Sequence, residues 1–331
     1  MKKTYYAIML LLLLTVPLSL RSQDQEEFKP SGKLFGVFFA DYHNTFSNGN
    51  NVSVFEVMRS FIGYDYSFSK TISSRIMFDA ISQSVGGKNM LNGYLRNAYL
   101  QYDNGKFTLR GGLMESEQVS TASKFWNYRY IARPTIDASG MVIAADLGLI
   151  AKYKPVEQVV LDLGILNGRS YKDISPDTTF KLVSGITFTP AKNLMFRGYY
   201  DLMGPEGRRQ WTMSLTGAYI SDVFTLGAEY MRQNNHLKAE GEDYSGFTVF
   251  TAYRIKDKYS IFARYEKIGS VVLNGDADPW NINKDGNSFI IGMDYSPVKN
   301  IRIAPNFIGF IPDKENSHFT GTAGINVEAK F

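Results

Sequence analysis

Three histidines and no cysteine leave little for covalent or metal chemistry in a chain of 331 residues. The histidines, His43, His236 and His318, each fall in or beside a polar, loop-like stretch, and no Ser/His/Asp set or spaced His/Cys motif accompanies them. His236 has Glu240, Glu242 and Asp243 close by, which makes it the best general-base candidate, although a loop histidine is more often simply hydrated. The expectation is therefore no enzyme, no cofactor and no metal. The coherent pattern lies in the charges. Between Glu115 and Ser139 runs a long stretch with Lys124, Arg129 and Arg133 set among Phe125, Trp126, Tyr128 and Tyr130, with Glu115, Glu117 and Asp137 nearer its ends. A second set, Arg75, Arg110, Lys181, Arg197, Arg254, Arg264 and Glu229, recurs at alternate positions in amphipathic runs, with Asp79, Asp162, Asp201, Glu266 and Asp294 on the same faces. Fixed charges on one wet face can steer and select ions without making a bond. Because the wall carries both signs in similar number, it sets no strong field of one sign.

Those charges need strands to hold them. The final stretch, Gly321 to Phe331, puts Ala323, Ile325, Val327, Ala329 and Phe331 on one face and Gly324, Asn326, Glu328 and Lys330 on the other. From Lys33 onward, runs of this kind can be marked about sixteen times, separated by turn residues. Leu226, Tyr230, Phe247 and Val249 are apolar-face residues, whereas Glu229 is on a wet face and should accept an arginine. Near the short turns the apolar face repeatedly carries an aromatic: Tyr66, Tyr102, Tyr153, Phe188, Tyr219, Tyr253, Tyr259 and Tyr295. Short turns such as Asp103-Asn104-Gly105 and Lys256-Asp257 alternate with longer polar connections, among them 44–52, 85–90, 115–139, 167–177 and 269–286. A soluble sandwich gives no reason for that segregation. Phe35, Phe39, Arg59 and Arg96 fit neither face cleanly.

The fold class expected is all-β: a transmembrane antiparallel barrel of about 16 strands over residues 33–331, with short periplasmic turns and longer external loops. Residues 1–22, with Lys2 and Lys3 before an apolar run from Ala7 to Val16, read as a signal peptide, and 23–32 as a short periplasmic segment. Removing Lys2, Lys3 and Arg21 leaves 33 basic against 32 acidic side chains, a net +1, so nothing in the composition supports a nucleic-acid partner.

The terminal aromatic strand resembles the ending of bacterial outer-membrane barrels. Strand count and the long connection after the fifth strand resemble general porins, which fold that loop into the lumen as a constriction. The segments F-W-N-Y-R-Y-I, A-A-D-L-G-L and I-L-N-G-R-S-Y, at 125–131, 144–149 and 165–171, look like the porins common in Bacteroidota and related in style to phosphate-selective porins. The resemblance implies a diffusion porin for small hydrophilic solutes or ions, surrounded by outer-membrane lipid, with a homotrimer as one assembly. It also implies that Lys124, Arg129 and Arg133 face permeating solute and confer modest anion preference. A substrate-specific channel and a structural or adhesive barrel without an open pore are the alternatives. Outer-membrane proteases, which place Asp and His at a barrel mouth, are the resemblance behind the His236 candidate.

Overall fold

The computed structural model describes residues 28–85, 88–173 and 179–331. The expected signal peptide at 1–22 and the first part of the 23–32 segment lie outside them, while Ser31 and Gly32 already belong to the first strand. Sixteen strands follow in order: β1 (Ser31–Ser47), β2 (Asn50–Ser67), β3 (Ile72–Val85), β4 (Lys88–Asp103), β5 (Phe107–Glu115), β6 (Ala145–Val156), β7 (Val159–Leu166) and β8 (Lys181–Ala191). The second half comprises β9 (Leu194–Met203), β10 (Gln210–Ile220), β11 (Phe224–Asn234), β12 (Tyr244–Lys256), β13 (Tyr259–Ser270), β14 (Gly286–Tyr295), β15 (Ile301–Pro312) and β16 (Thr320–Lys330). Each pairs antiparallel with its chain neighbours, and β16 pairs with β1 from Val37↔Lys330 to Ser47↔Thr320, so the sheet is a closed barrel with no free edge. Phe331 continues the seam through reciprocal backbone hydrogen bonds with Gly36 at 3.0 and 3.1 Å. Its ring lies where a side chain on Gly36 would be, so glycine is what lets the two ends close.

The period-two alternation sorts the side chains as expected. Leu182, Ile186, Leu226, Phe247, Val249 and Tyr265 stand exposed on the outside of the barrel, a continuous apolar exterior that suits lipid. Aromatics gather at the short-turn end, where Tyr259 and Tyr295 stack at 4.8 Å between ring centroids. No helix among the described residues is long and apolar enough to cross a membrane.

Two expectations about the first strands fail. The connection expected at 44–52 is a two-residue Asn48-Gly49 turn, both residues with positive φ (47° and 77°), the geometry that an antiparallel hairpin prefers. β1 and β2 continue to it through mostly polar residues broken by Phe46 and Val52, with Asn44 tied to Ser53 (2.7 Å) and Thr45 to Thr322 of β16 (2.9 Å). Strands that project past an apolar belt have no reason to alternate. β3 and β4 likewise run on to Val85 and Lys88, through most of the connection expected at 85–90. Of the residues that fit neither face, Arg59 and Arg96 are explained by β-bulges, while Phe35 and Phe39 on β1 turn inward, against Arg75 and against Phe61 and Tyr130. The register passes from Phe39↔Arg59 to Ala40↔Val57, leaving Met58 as the extra residue, and from Met77↔Asn97 to Phe78↔Leu95, leaving Arg96. Each bulge inverts the outward parity of its strand and turns an arginine into the lumen.

Candidate pore constriction

The segment between β5 and β6 crosses the barrel interior. Its first helix, α1 (Glu117–Trp126), is capped at the start by Ser116, whose side chain accepts from the Val119 N–H, and stopped by Asn127 in the left-handed conformation. A one-turn helix, α2 (Thr135–Ala138), follows Pro134. The most deeply buried apolar side chains of the protein belong largely to this segment: Tyr130, Ile136, Met141, Val142, Phe125 and Trp126. The barrel's core is therefore a loop packed inside it.

Polar anchors reach it from the far wall. Gln118 on α1 donates to Glu229 (2.9 Å) and Ser214 (3.1 Å) and accepts from Arg197 (2.8 Å). Arg197 also holds Asp162 at 2.7 Å, and Glu229 accepts from Ser214 and Thr216. Arg264 lies 4.6 Å over the Trp126 ring, donates to the Arg133 carbonyl (2.8 Å) and pairs with Glu266 (3.2 Å). Tyr130 donates to Asp294 at 2.9 Å, and Arg302 donates to the Asn127 carbonyl at 2.6 Å. Near the root, burial pushes the Glu117 carboxyl up, but Lys152 at 3.2 Å and Arg110 outweigh it and hold the group below its ordinary range.

This placement divides the charges proposed from sequence. Lys181 (paired with Asp201 at 3.5 Å), Arg197, Arg264 and Glu229 point inward but are buried under the loop. Arg197, Arg264 and Glu229 hold the loop, Lys181 pairs within the wall, and none of the four lines the main cavity. Glu229 in particular accepts three side-chain hydrogen bonds while almost wholly enclosed, which corrects the expectation that it would tolerate arginine. Arg75 pairs with Asp65 (2.6 Å) and Glu115 (3.6 Å), and Arg110 stacks on Tyr99 while donating to Gln101 (2.7 Å). Arg254 is exposed beside a cavity of about 130 Å³ on the short-turn side of the loop. Lys124 is exposed on α1 and does not line the main cavity.

That main cavity, about 590 Å³, lies between the loop and the wall formed by β1 to β3. Arg129 and Arg133 come from the loop, and both pair with Asp137, at 3.1 and 3.5 Å. Arg59 comes from the β2 bulge, and Tyr171 and Lys172 come from the β7–β8 connection. Behind them, Asp79 takes a 2.9 Å bond from Arg59 and a 2.8 Å bond from the Tyr171 hydroxyl, with Arg96 at 3.4 Å. Among the described residues, the charged side chains that line the cavity are Arg59, Arg129, Arg133 and Lys172 against Asp137, an excess of three positive charges, with Arg96 and Asp79 paired behind them and the carboxylates of Asp41 and Glu56 beyond Phe39 and Met58 at the rim. Burial pulls Arg129 down to about 10, the nearby arginines adding to that and Asp137 opposing it. Burial and Arg59 also lower Lys172, and burial pushes Tyr171 up to about 12. At neutral pH Arg129 stays charged.

Of these, Arg129 and Arg133 were legible as candidates, whereas Arg59, Arg96, Tyr171 and Lys172 were not. The broken parity around Arg59 and Arg96 was the available signal. His236 does not assemble with its neighbouring acids: its Nδ1 meets Gln233 at 2.5 Å and its ring stacks on Trp280, while burial, with Lys284 nearby, lowers its pKa. His43 sits in β1, not in a loop, 2.7 Å from Asp41, and His318 is exposed between β15 and β16.

No family model matches the chain, and no curated protein does. Solved structures do. OmpF of Salmonella typhi in complex with daunomycin aligns with a TM-score of 0.68 at 12% identity, over 91% of this chain and 97% of that one. OprB of Pseudomonas putida at high pH aligns at 0.67 and 9% identity, over 91% and 94%. An anion-selective porin from Comamonas acidovorans aligns at 0.64 and 9%, over 92% and 100%. The fold is that of the sixteen-stranded outer-membrane porins, shared along nearly the whole of each chain.

Proposed function

We propose that this chain is a passive diffusion channel of the bacterial outer membrane with a preference for small anions. The observation that carries the reading is the cationic cavity between the inserted loop and the β1–β3 wall, in a barrel whose exterior is apolar and whose fold is that of porins. Residues 1–22 would act as the export signal, lipid would surround the barrel, and a homotrimer is the assembly that the resemblance suggests. The finer likeness to Bacteroidota porins in the style of the phosphate-selective family rests on the loop motifs and fixes no solute. Ions would be drawn into the cavity by the uncompensated cations and pass beside Arg129 and Arg133. A planar-bilayer recording of the folded protein in a KCl gradient tests this: a steady conductance with a chloride-favouring reversal potential supports it, and a silent barrel refutes it.

A substrate-specific channel is a second reading, favoured by how fully the loop fills the lumen and by the buried Arg59, Asp79, Arg96 and Tyr171 group beside the cavity. It differs in predicting that one small anion blocks the current of the others at low concentration.

A further inference from the structure

In most of the lumen wall a carboxylate is matched by a base: Asp79 by Arg59, Asp162 by Arg197, Asp201 by Lys181, Asp294 by Arg302. Asp41 and Glu56 break that pattern. They are direct partners across β1 and β2, on the inward faces that also carry Phe39 and Met58. Among the described residues no lysine or arginine is ion-paired with either; the group at hand is His43, whose Nδ1 lies 2.7 Å from Asp41 Oδ2. Like charges opposite each other on neighbouring strands repel, and a cation between them removes the repulsion. A second observation points the same way. The Asp41 side chain is only 7% exposed, yet its Oδ1 is buried without a hydrogen-bond partner. A carboxylate oxygen in that state calls for a donor or a metal.

We propose that Asp41, His43 and Glu56 bind a divalent transition-metal ion of the zinc class in the lumen wall. One donor atom from each lies within 4.8 Å of the others. Ligands around one tetrahedral zinc stand about 3.4 Å apart, as bond lengths of about 2.0–2.2 Å dictate, so the widest donor spacing has at most about 1.4 Å to close. The ladder fixes the three backbones: two positions on the same face of β1 and the cross-strand partner on β2. One imidazole and two carboxylates suit zinc and its neighbours better than calcium, which takes six to eight oxygens, or copper(I), which takes sulfur. Three protein ligands leave a position for water or a passing anion. Phe39 and Met58, each two residues from a ligand, line the main cavity, so the bound ion would add two positive charges at its rim. That electrical consequence rests on the channel proposed above; the binding does not.

The test is calorimetric titration of zinc chloride into the untagged, folded barrel in detergent, for the wild type, His43→Ala and Glu56→Gln. Heat-modifiable migration on a gel shows that each variant is folded. One zinc per chain is expected, with affinity at least about tenfold weaker in each variant, the size of loss that even changes beyond the ligands produce. No stoichiometric binding by the folded wild type, or equal binding by both folded variants, overturns the site. Binding is read without any current, so a silent barrel that still binds zinc would refute the channel and leave the metal site standing.

Discussion

Arg129 and Arg133 are where the channel reading is most exposed to test. Replacing both with glutamine takes the charge around the cavity from an excess of three to an excess of one and leaves Asp137 without either guanidinium, now 3.1 and 3.5 Å away. A unit charge about 6 Å from a passing ion is worth roughly 0.7 kcal/mol in a water-like medium. Physiological salt roughly halves that over the same distance. Two lost charges then cost an anion about 0.7 kcal/mol and favour a cation by as much. The combined change of about 1.4 kcal/mol is close to tenfold in the anion-to-cation permeability ratio. The assay is the reversal potential in a KCl gradient across a planar bilayer, with Lys124→Gln as a control outside the cavity. The double variant should move towards cation preference and the control should not. A folded double variant with the wild-type reversal potential would show that ions do not pass this cavity, and the loop would then be a plug.

Deleting Ser123–Arg133 should raise single-channel conductance, because it removes the aromatic and arginine side chains that fill the lumen, while lowering the thermal midpoint through the exposed Arg264 and Asp294; unchanged conductance would contradict the placement of the loop. Leu226→Arg on the lipid face should cost roughly 2–4 kcal/mol near the bilayer midplane in lipid-folding titrations. Glu229→Arg should also fail to fold normally, whereas Glu229→Gln keeps an acceptor for Ser214 and Thr216 and should fold. Since Arg129 is pulled down to about 10, its charge is present below that pH and lost as pH rises through it, so anion preference should hold from pH 7 to 9 and fall above. A selectivity that stays flat to pH 11 would mean that the Asp137 pair keeps the guanidinium charged.

The barrel was legible because a strand with one face in lipid and one in water must alternate, and every one of the sixteen strands does so somewhere along its length. The misread parts are those where that constraint lapses. The 44–52 stretch is mostly polar, with only Phe46 and Val52 apolar, so strands passed for loop until the Asn48-Gly49 turn gave the true geometry. Met58 and Arg96 are single extra residues, and one residue suffices to exchange the two faces. The length and aromatic content of Glu115–Ser139 marked it as functional, but its contacts are far away in the chain: Gln118 meets Arg197 and Tyr130 meets Asn326. Periodicity carries no information about such pairs.

Alternation has a further blind spot, and it bears on selectivity. It tells an inward charge from an outward one, but not a charge facing water from a charge facing protein. On the β8–β16 side the inward Lys181, Arg197, Glu229, Arg264 and Arg302 are spent on partners: Asp201, Asp162, Gln118, the Arg133 carbonyl and Asp294. On the β1–β4 side Asp79 is shared by Arg59 and Arg96, and across the cavity Asp137 is shared by Arg129 and Arg133. Two bases per acid in this cluster leave positive charge over at the cavity, with Asp41 and Glu56 the unmatched carboxylates at its rim, although the chain after its first 22 residues carries 33 basic against 32 acidic side chains. For the proposed channel, net charge would therefore not fix the ion preference. In the proposed channel the sign would follow from where the ion pairs lie: Lys181–Asp201, Arg197–Asp162 and Arg302–Asp294 close within the wall that the loop covers, and the surplus of bases lies on the cavity side.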